Sequence, residues 1–201
     1  MIELVVATRN THKTREIQHI LGPDFRVRDL GAHPEVTEIV ESGISFEENA
    51  KLKALTASKQ LPALVIADDS GLEVDALDGA PGIYSARYAG TNATDTDKID
   101  KLLRELVRVR ATEDGRRARF RCLVAVARNG NFLATFEGIV EGRIADNVRG
   151  VLGFGYDPIF VPDGFEQTFG ELPVEVKNAI SHRAKAIRAI TDRLRPLEFG
   201  D

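Results

Sequence analysis

The dipeptide Asn129-Gly130 lies between two apolar-rich runs, RARFRCLVAVAR and NFLATFEGIVEGRIA. An Asn-Gly pair in that setting is the strongest short-range signal for a tight hairpin, because both residues tolerate positive φ. The chain must therefore contain an antiparallel strand pair. Its opening points another way. IELVVA (2–7) is a short, β-branched apolar run that reads as a buried strand. It passes directly into a helix at about 11–21, where Ile17, Ile20 and Leu21 share a face and Gly22-Pro23 is the stop. A strand feeding a helix is the start of a parallel crossover, and a hairpin is antiparallel. Together they predict an α/β fold with a mixed sheet flanked by helices, not a purely parallel doubly wound one.

The rest of the chain fits that plan. FRVRDL (25–30) reads as a second strand and 31–43 as a polar loop. Ser45 and Glu48 are spaced as a capping box for the helix SFEENAKLKALTASKQL, which Pro62 ends. ALVIAD (63–68) is the next strand, and the alternating GLEVDAL (71–77) reads as its hairpin partner. GAPGIYSARYAG is loop-like. Residues 93–110 carry Ile99, Leu102, Leu103, Leu106 and Val109 at helical spacing. A Gly-rich stretch (146–157), a brief strand in DPIFVP and a final helix over 181–195 behind Ser181 complete the pass. Repeats and flexible linkers are absent, so the 201 residues read as a single domain.

Net charge is −4, which suggests no broad basic face. Nucleic acid and anionic membrane are therefore not expected partners. The single cysteine, Cys122, excludes an internal disulfide and a Cys-cluster metal site. Its place in LVAVA reads as a buried small hydrophobe. No apolar run approaches the length of a membrane span, and MIELVVATRN is not a signal peptide, so a cytoplasmic location is expected.

Four segments carry residues suited to chemistry. ATRNTHK (7–13) joins a strand to a helix whose first turn offers N–H groups and the positive end of the helix dipole to an anion. Thr8 and Asn10 add side-chain donors, and Lys13 adds an ammonium. The segment lacks the glycines of a Walker A loop. ADDSG places Asp68 and Asp69 at a strand end, where adjacent side chains point to opposite faces. One should face a cleft while the other holds the turn. Paired carboxylates there suit a hard cation such as Mg²⁺, with Glu41 as a further ligand. GFGYDPIF (153–160) supplies backbone freedom at two glycines, aromatic faces at Phe154 or Tyr156, and an acceptor at Asp157. ISHRAKA (180–186) sets His182 and Arg183 in the first turn of the last helix, shortly after Lys177. Arg183 is a directional donor suited to a carbonyl oxygen or a phosphate.

In their order and spacing, TRNTHK, VESGISFEENA, ADDSGLEVDALDGAPGIYSARYAG, GFGYDPIF and ISHRAKA resemble the inosine triphosphate pyrophosphatase family over residues 4 to 194. The resemblance implies a long twisted mixed β-sheet flanked by helices, with two lobes around a deep cleft, and a homodimer. It implies Mg²⁺-dependent hydrolysis of purine nucleoside triphosphates (dITP, ITP, XTP) to the monophosphate and pyrophosphate. Carried over by position, Thr8, Arg9, Asn10, Thr11, His12 and Lys13 line the triphosphate site. Glu41 and Asp69 hold the metal, Asp69 takes the proton from water, and Ser70 contacts substrate. Phe154, Gly155, Tyr156 and Asp157 hold base and sugar together with Lys177, His182 and Arg183. Arg183 is expected to read the 6-oxo edge of the base. Two positions depart from the family pattern. Arg9 stands where glycine is common, to add charge beside the phosphates or to point to solvent. Leu152 precedes Gly153 where a second glycine is common. Rival readings are a phosphatase releasing inorganic phosphate and a non-catalytic nucleotide sensor.

Overall fold

The structure is a computed structural model that describes residues 2–37 and 39–198. Six strands form one sheet in the order β2-β1-β3-β4-β5-β6. They are β1 (Ile2–Val6), β2 (Phe25–Asp29), β3 (Leu64–Val74), β4 (Arg117–Arg128), β5 (Asn131–Ile144) and β6 (Phe160–Pro162). The helices are α1 (Thr11–Leu21), α2 (Phe46–Ser58), α3 (Asp95–Arg108), α4 (Val174–Ile180) and α5 (His182–Glu198). β1 runs parallel to β2 and to β3, whereas β5 and β6 are antiparallel. The sheet is therefore mixed, as the βα opening and the hairpin together require. Asn129 (φ 52°) and Gly130 (φ 77°) both take positive φ between β4 and β5, the geometry the dipeptide predicts.

The chain divides into two compact units. The first comprises Met1–Asp69, Cys122–Gly138 and His182–Asp201; the second comprises Ser70–Arg121 and Ile139–Ser181. In the first unit the sheet is covered on both faces. Val5, Val65 and Ala67 of one face pack with Ala50, Ala54 and Ala57 of α2. Leu4, Val6, Leu64 and Ile66 of the other face pack with Ile17 of α1 and with Ala186, Ile187 and Ile190 of α5. The alternation along β1 and β3 follows from the period of two in a strand. The second unit has one core, in which Leu72, Val74, Ile99, Leu102 and Leu106 join Phe120, Phe160 and Phe169.

Residues 63–77 differ from the sequence expectation. They do not form two strands of a hairpin; β3 runs unbroken through Asp68, Asp69, Ser70 and Gly71. The stretch looks like a turn, but each aspartate meets a cationic side chain, so charge does not force the strand to end. Ser45 caps α2 by accepting Glu48 N–H, yet Glu48 reaches back to Ile44 N–H, so the reciprocal box is shifted by one residue. The reciprocal box does close at α3, between Thr94 and Asp97. α4 was not legible in the sequence: it is only 7 residues long and starts behind Pro173.

Cys122 is fully buried, and burial, with the Asp68 carboxylate adding to it, pushes its thiol pKa up to about 12. We expect no reaction with a colourimetric disulfide reagent in the native protein at pH 8, and one thiol per chain once urea is added. Rapid titration of the native protein would contradict this packing.

Candidate active site

Successive residues of a strand point to opposite faces, so Asp68 and Asp69 cannot share an environment. Asp68 follows Leu64 and Ile66 on the face covered by α1 and α5. Asp69 follows Val65 and Ala67 on the face covered by α2. Both are buried, at 2% and 7% exposure. A buried carboxylate is tolerable only with partners, and the two sets of partners are different.

Asp68 is a fixed anion. Its Oδ2 accepts from Lys13 Nζ at 2.8 Å and from Arg183 Nη2 at 3.1 Å. Arg183 also binds Glu16 of α1 through Nη1. Burial opposes the charge on Asp68, but Lys13 and Arg183, with Lys53 beyond them, hold its pKa far below the usual carboxylate range. Arg183 is itself 2% exposed. Its Nη1 and Nη2 are held by two carboxylates, a setting that the sequence, which expects it to read the 6-oxo edge of the base, does not reveal.

Asp69 is a poised one. Its Oδ2 accepts from Asn49 Nδ2 at 3.1 Å and its Oδ1 lies 3.3 Å from Lys53 Nζ. Lys53 also reaches Glu41 Oε1 at 2.9 Å. Burial, and repulsion from Glu41, raise the Asp69 pKa above the ordinary value; the Lys53 ammonium and the Asn49 hydrogen bond only partly offset this. For Lys53, burial disfavours the charge, but Asp69, Asp68 and Glu41 together more than compensate, and its pKa is raised. One ammonium thus gains from three anions, while Asp69 must share it with Glu41.

Glu41 and Asp69 are therefore two hard oxygen donors that share one cation, the Lys53 ammonium. Such a pair fits Mg²⁺, which takes one or two protein carboxylates and completes its shell with waters and substrate phosphates. Among the described residues no group of three or more His, Cys, Asp or Glu is placed to hold a metal, so other ligands would have to come from water and substrate.

The N-terminal motif lies at the start of α1. Asn10 is its N-cap, and its Oδ1 accepts from His12 N–H at 2.9 Å and Lys13 N–H at 3.4 Å. Two of the N–H groups that the sequence offers to an anion are thus already capped. Thr8 Oγ1 accepts Asn10 N–H, and Thr11 and His12 are exposed in the first turn. Arg9, expected beside the phosphates or toward solvent, is exposed and is also tied to backbone. Its Nη1 and Nη2 donate to the carbonyls of Leu30 (3.1 Å) and Val36 (3.0 Å), clamping the segment after β2 to the loop. His182, at 4% exposure, begins α5. Gly138 of β5 has no room for a side chain, since a Cβ there would stand 2.0 Å from His182 O.

In the second unit the structure gathers Phe154, Gly155, Tyr156, Asp157 and Lys177. Asp157 Oδ2 accepts from Phe154 N–H at 2.8 Å and from Lys177 Nζ at 2.5 Å. The Lys177 ammonium lies 4.7 Å from the Phe154 ring centroid. Gly153 leaves space for the Asp157 carboxylate, where a Cβ would come within 2.0 Å of Oδ2. The expected Leu152 therefore sits beside the one glycine of the pair that packing demands. Tyr156 Oη donates to Ser85 O at 3.1 Å, and burial raises its pKa. Ser70 is half-buried within β3. Sequence reasoning missed Asn49, Lys53 and Glu16. The usable signal for the first two was their i, i+4 spacing among the alanines that α2 buries.

An α/β fold with a mixed sheet, a cationic helix start and two carboxylates converging on one cation defines a class of proteins equipped for phosphate chemistry. The chain belongs to the Ham1 family, whose model matches residues 4–193. It is 49% identical over 195 residues to the dITP/XTP pyrophosphatase of Geobacter sulfurreducens, covering 96% of this chain and 97% of that protein. It is 47% identical over 194 residues to the dITP/XTP pyrophosphatase of Shouchella clausii, with 96% and 97% covered. Among solved structures, a HAM1 protein from Coxiella burnetii superposes with a TM-score of 0.87 at 40% identity, covering 98% of this chain and 100% of that one. The Ham1 protein of Staphylococcus aureus gives 0.84 at 42% identity, covering 97% and 99%.

Proposed function

We propose that this chain hydrolyses aberrant purine nucleoside triphosphates, namely dITP, ITP and XTP, to the monophosphate and pyrophosphate, with Mg²⁺ held by Glu41 and Asp69. The observation that carries this reading is the opposed setting of two adjacent aspartates, Asp68 paired with two cations and Asp69 sharing Lys53 with Glu41, its pKa raised by burial. Pairs of acids pushed apart in this way separate a structural anion from a proton acceptor. The names of the relatives, dITP/XTP pyrophosphatase, support the substrate class.

Release of pyrophosphate requires attack at the α-phosphorus. Asp69 accepts the proton of the attacking water on its carboxylate, oriented by Asn49 and Lys53. Lys13, on its Asp68 anchor, brings positive charge to the phosphates beside Thr8, Asn10, Thr11 and His12. Bound Mg²⁺ supplies charge neutralisation on the phosphates and on the leaving pyrophosphate. Phe154 offers a face for the base and Tyr156 stiffens the turn. Lys177, fixed by Asp157, is an N–H donor that suits the 6-oxo acceptor of hypoxanthine and xanthine and not the 6-amino group of adenine. Ser70, His182 and Gly155 complete the substrate contacts. Arg183 acts through Asp68. Two copies form a homodimer and the enzyme works in the cytoplasm; among the described residues no helix is long and apolar enough to cross a membrane.

The test is a panel of nucleoside triphosphates with Mg²⁺, scoring pyrophosphate against inorganic phosphate. ITP, dITP and XTP should release pyrophosphate, ATP far less, and EDTA should abolish turnover. Release of inorganic phosphate would favour a phosphatase, and binding without turnover a sensor.

A further inference from the structure

The aromatic turn at 153–157 is anchored unevenly: Tyr156 and Asp157 are buried, at 4% and 2% exposure, whereas Phe154 and Gly155 are half-buried. Phe154 and Gly155 border an open pocket of about 210 Å³ that Asp95, Ile99, Leu152 and Pro158 also line. On that open side, hydrogen bonds add to what packing supplies. Several are local or come from the buried side: Asp157 Oδ2 takes Phe154 N–H at 2.8 Å, Asp157 O takes Gly170 N–H at 2.9 Å, and Tyr156 Oη donates to Ser85 O. Another comes from a helix 60 residues away in sequence. Asp95, the first residue of α3, accepts the N–H of Gly155 on Oδ2 at 2.6 Å and pairs with Lys98 through Oδ1 at 2.5 Å. Gly155 has φ +64°, a left-handed conformation that glycine adopts without steric cost, so the backbone there is not locked by sterics alone.

We propose that Asp95 is a positioning residue that sets the Phe154 ring, by fixing the next peptide N–H to the start of α3. The proposal rests on the reading of Phe154 as the face that receives the base. Asp95 belongs to none of the four segments that carry the chemistry. Its carboxylate is already oriented before any ligand arrives: Lys98 holds one oxygen, and the Thr94–Asp97 capping box independently holds the helix start. A platform set in advance lowers the ordering cost of binding, so its loss weakens substrate binding and leaves the bond-breaking step alone.

Three variants test it. Asp95→Ala removes acceptor and charge, Asp95→Asn keeps an acceptor oxygen without the charge, and Lys98→Ala removes the ion pair alone. The carboxylate is about half exposed, so the expected effect is moderate. For ITP, Asp95→Ala should raise KM by roughly three- to tenfold with kcat within about twofold, and Asp95→Asn and Lys98→Ala should stay near wild type. In the substrate-free protein, the Gly155 amide should exchange with deuterium faster in Asp95→Ala and at the wild-type rate in Asp95→Asn. A KM within about twofold of wild type in Asp95→Ala overturns the proposal, even if exchange speeds up, because the bond would then not set the binding face. Equal damage from Asn and Ala would assign the role to charge and overturn the hydrogen bond. If the wild type turns over no purine triphosphate, the proposed function fails, while the exchange rates still decide whether the tether exists.

Discussion

Asp69→Asn should lose roughly 10²–10⁴-fold in kcat for ITP and keep its fold. The loss follows from the amide's inability to accept a proton from water, with every neighbour left in place. Retention of the fold follows from the same environment that makes Asp69 reactive. Burial and the Glu41 carboxylate already disfavour its charge, so a neutral side chain of the same shape relieves a cost. The amide oxygen can still accept from Asn49, and Lys53 keeps Glu41. The urea midpoint should therefore stay at or slightly above that of wild type. Turnover above about a third of wild type would move the base to another residue. A collapse in stability would show that the Asp69 charge, not its proton affinity, is what the site needs.

Much of this site was legible because its residues lie in short blocks with local reasons to be where they are. IELVVA had to run into a helix at about residue 11, so Lys13 had to stand in its first turn. Asn129-Gly130 had to turn, so β4 and β5 had to pair. The period of two in β3 separates Asp68 from Asp69 whatever surrounds them. What the sequence concealed is long-range. Nothing local says that Arg183 closes on Asp68, 115 residues earlier, or that Asp95 holds Gly155. The reading of 71–77 as a hairpin partner failed for the same reason. Three polar residues and a glycine look like a turn until the cations that compensate the two aspartates are known, and those cations come from α1, α2 and α5. The two carbonyls that Arg9 meets, Leu30 and Val36, were hidden similarly, since they lie 21 and 27 residues further on.

Asp68→Asn should do the opposite of Asp69→Asn, although the two positions are adjacent. Lys13, Arg183, Asp68 and Glu16 form a compact group of two cations and two anions. Both side chains of the Asp68–Arg183 pair are almost wholly excluded from solvent, at 0% and 2% exposure. Replacing a buried ion pair by apolar groups can be harmless, but removing one partner leaves a charge that water cannot reach, at a cost of about 3–5 kcal/mol. The expected loss of unfolding free energy for Asp68→Asn is about 3 kcal/mol, the lower end because Lys13 is partly exposed and can turn outward. Charge balance, and not the lost hydrogen bonds, should account for most of it. A second substitution, Lys13→Met, then restores neutrality by leaving Arg183 with Glu16. The double variant should be more stable than the sum of the two single losses predicts, by about 1–3 kcal/mol. Additive losses in urea unfolding would mean that Asp68 contributes through its hydrogen bonds alone, and the picture of a fixed anion anchoring Lys13 would have to be given up.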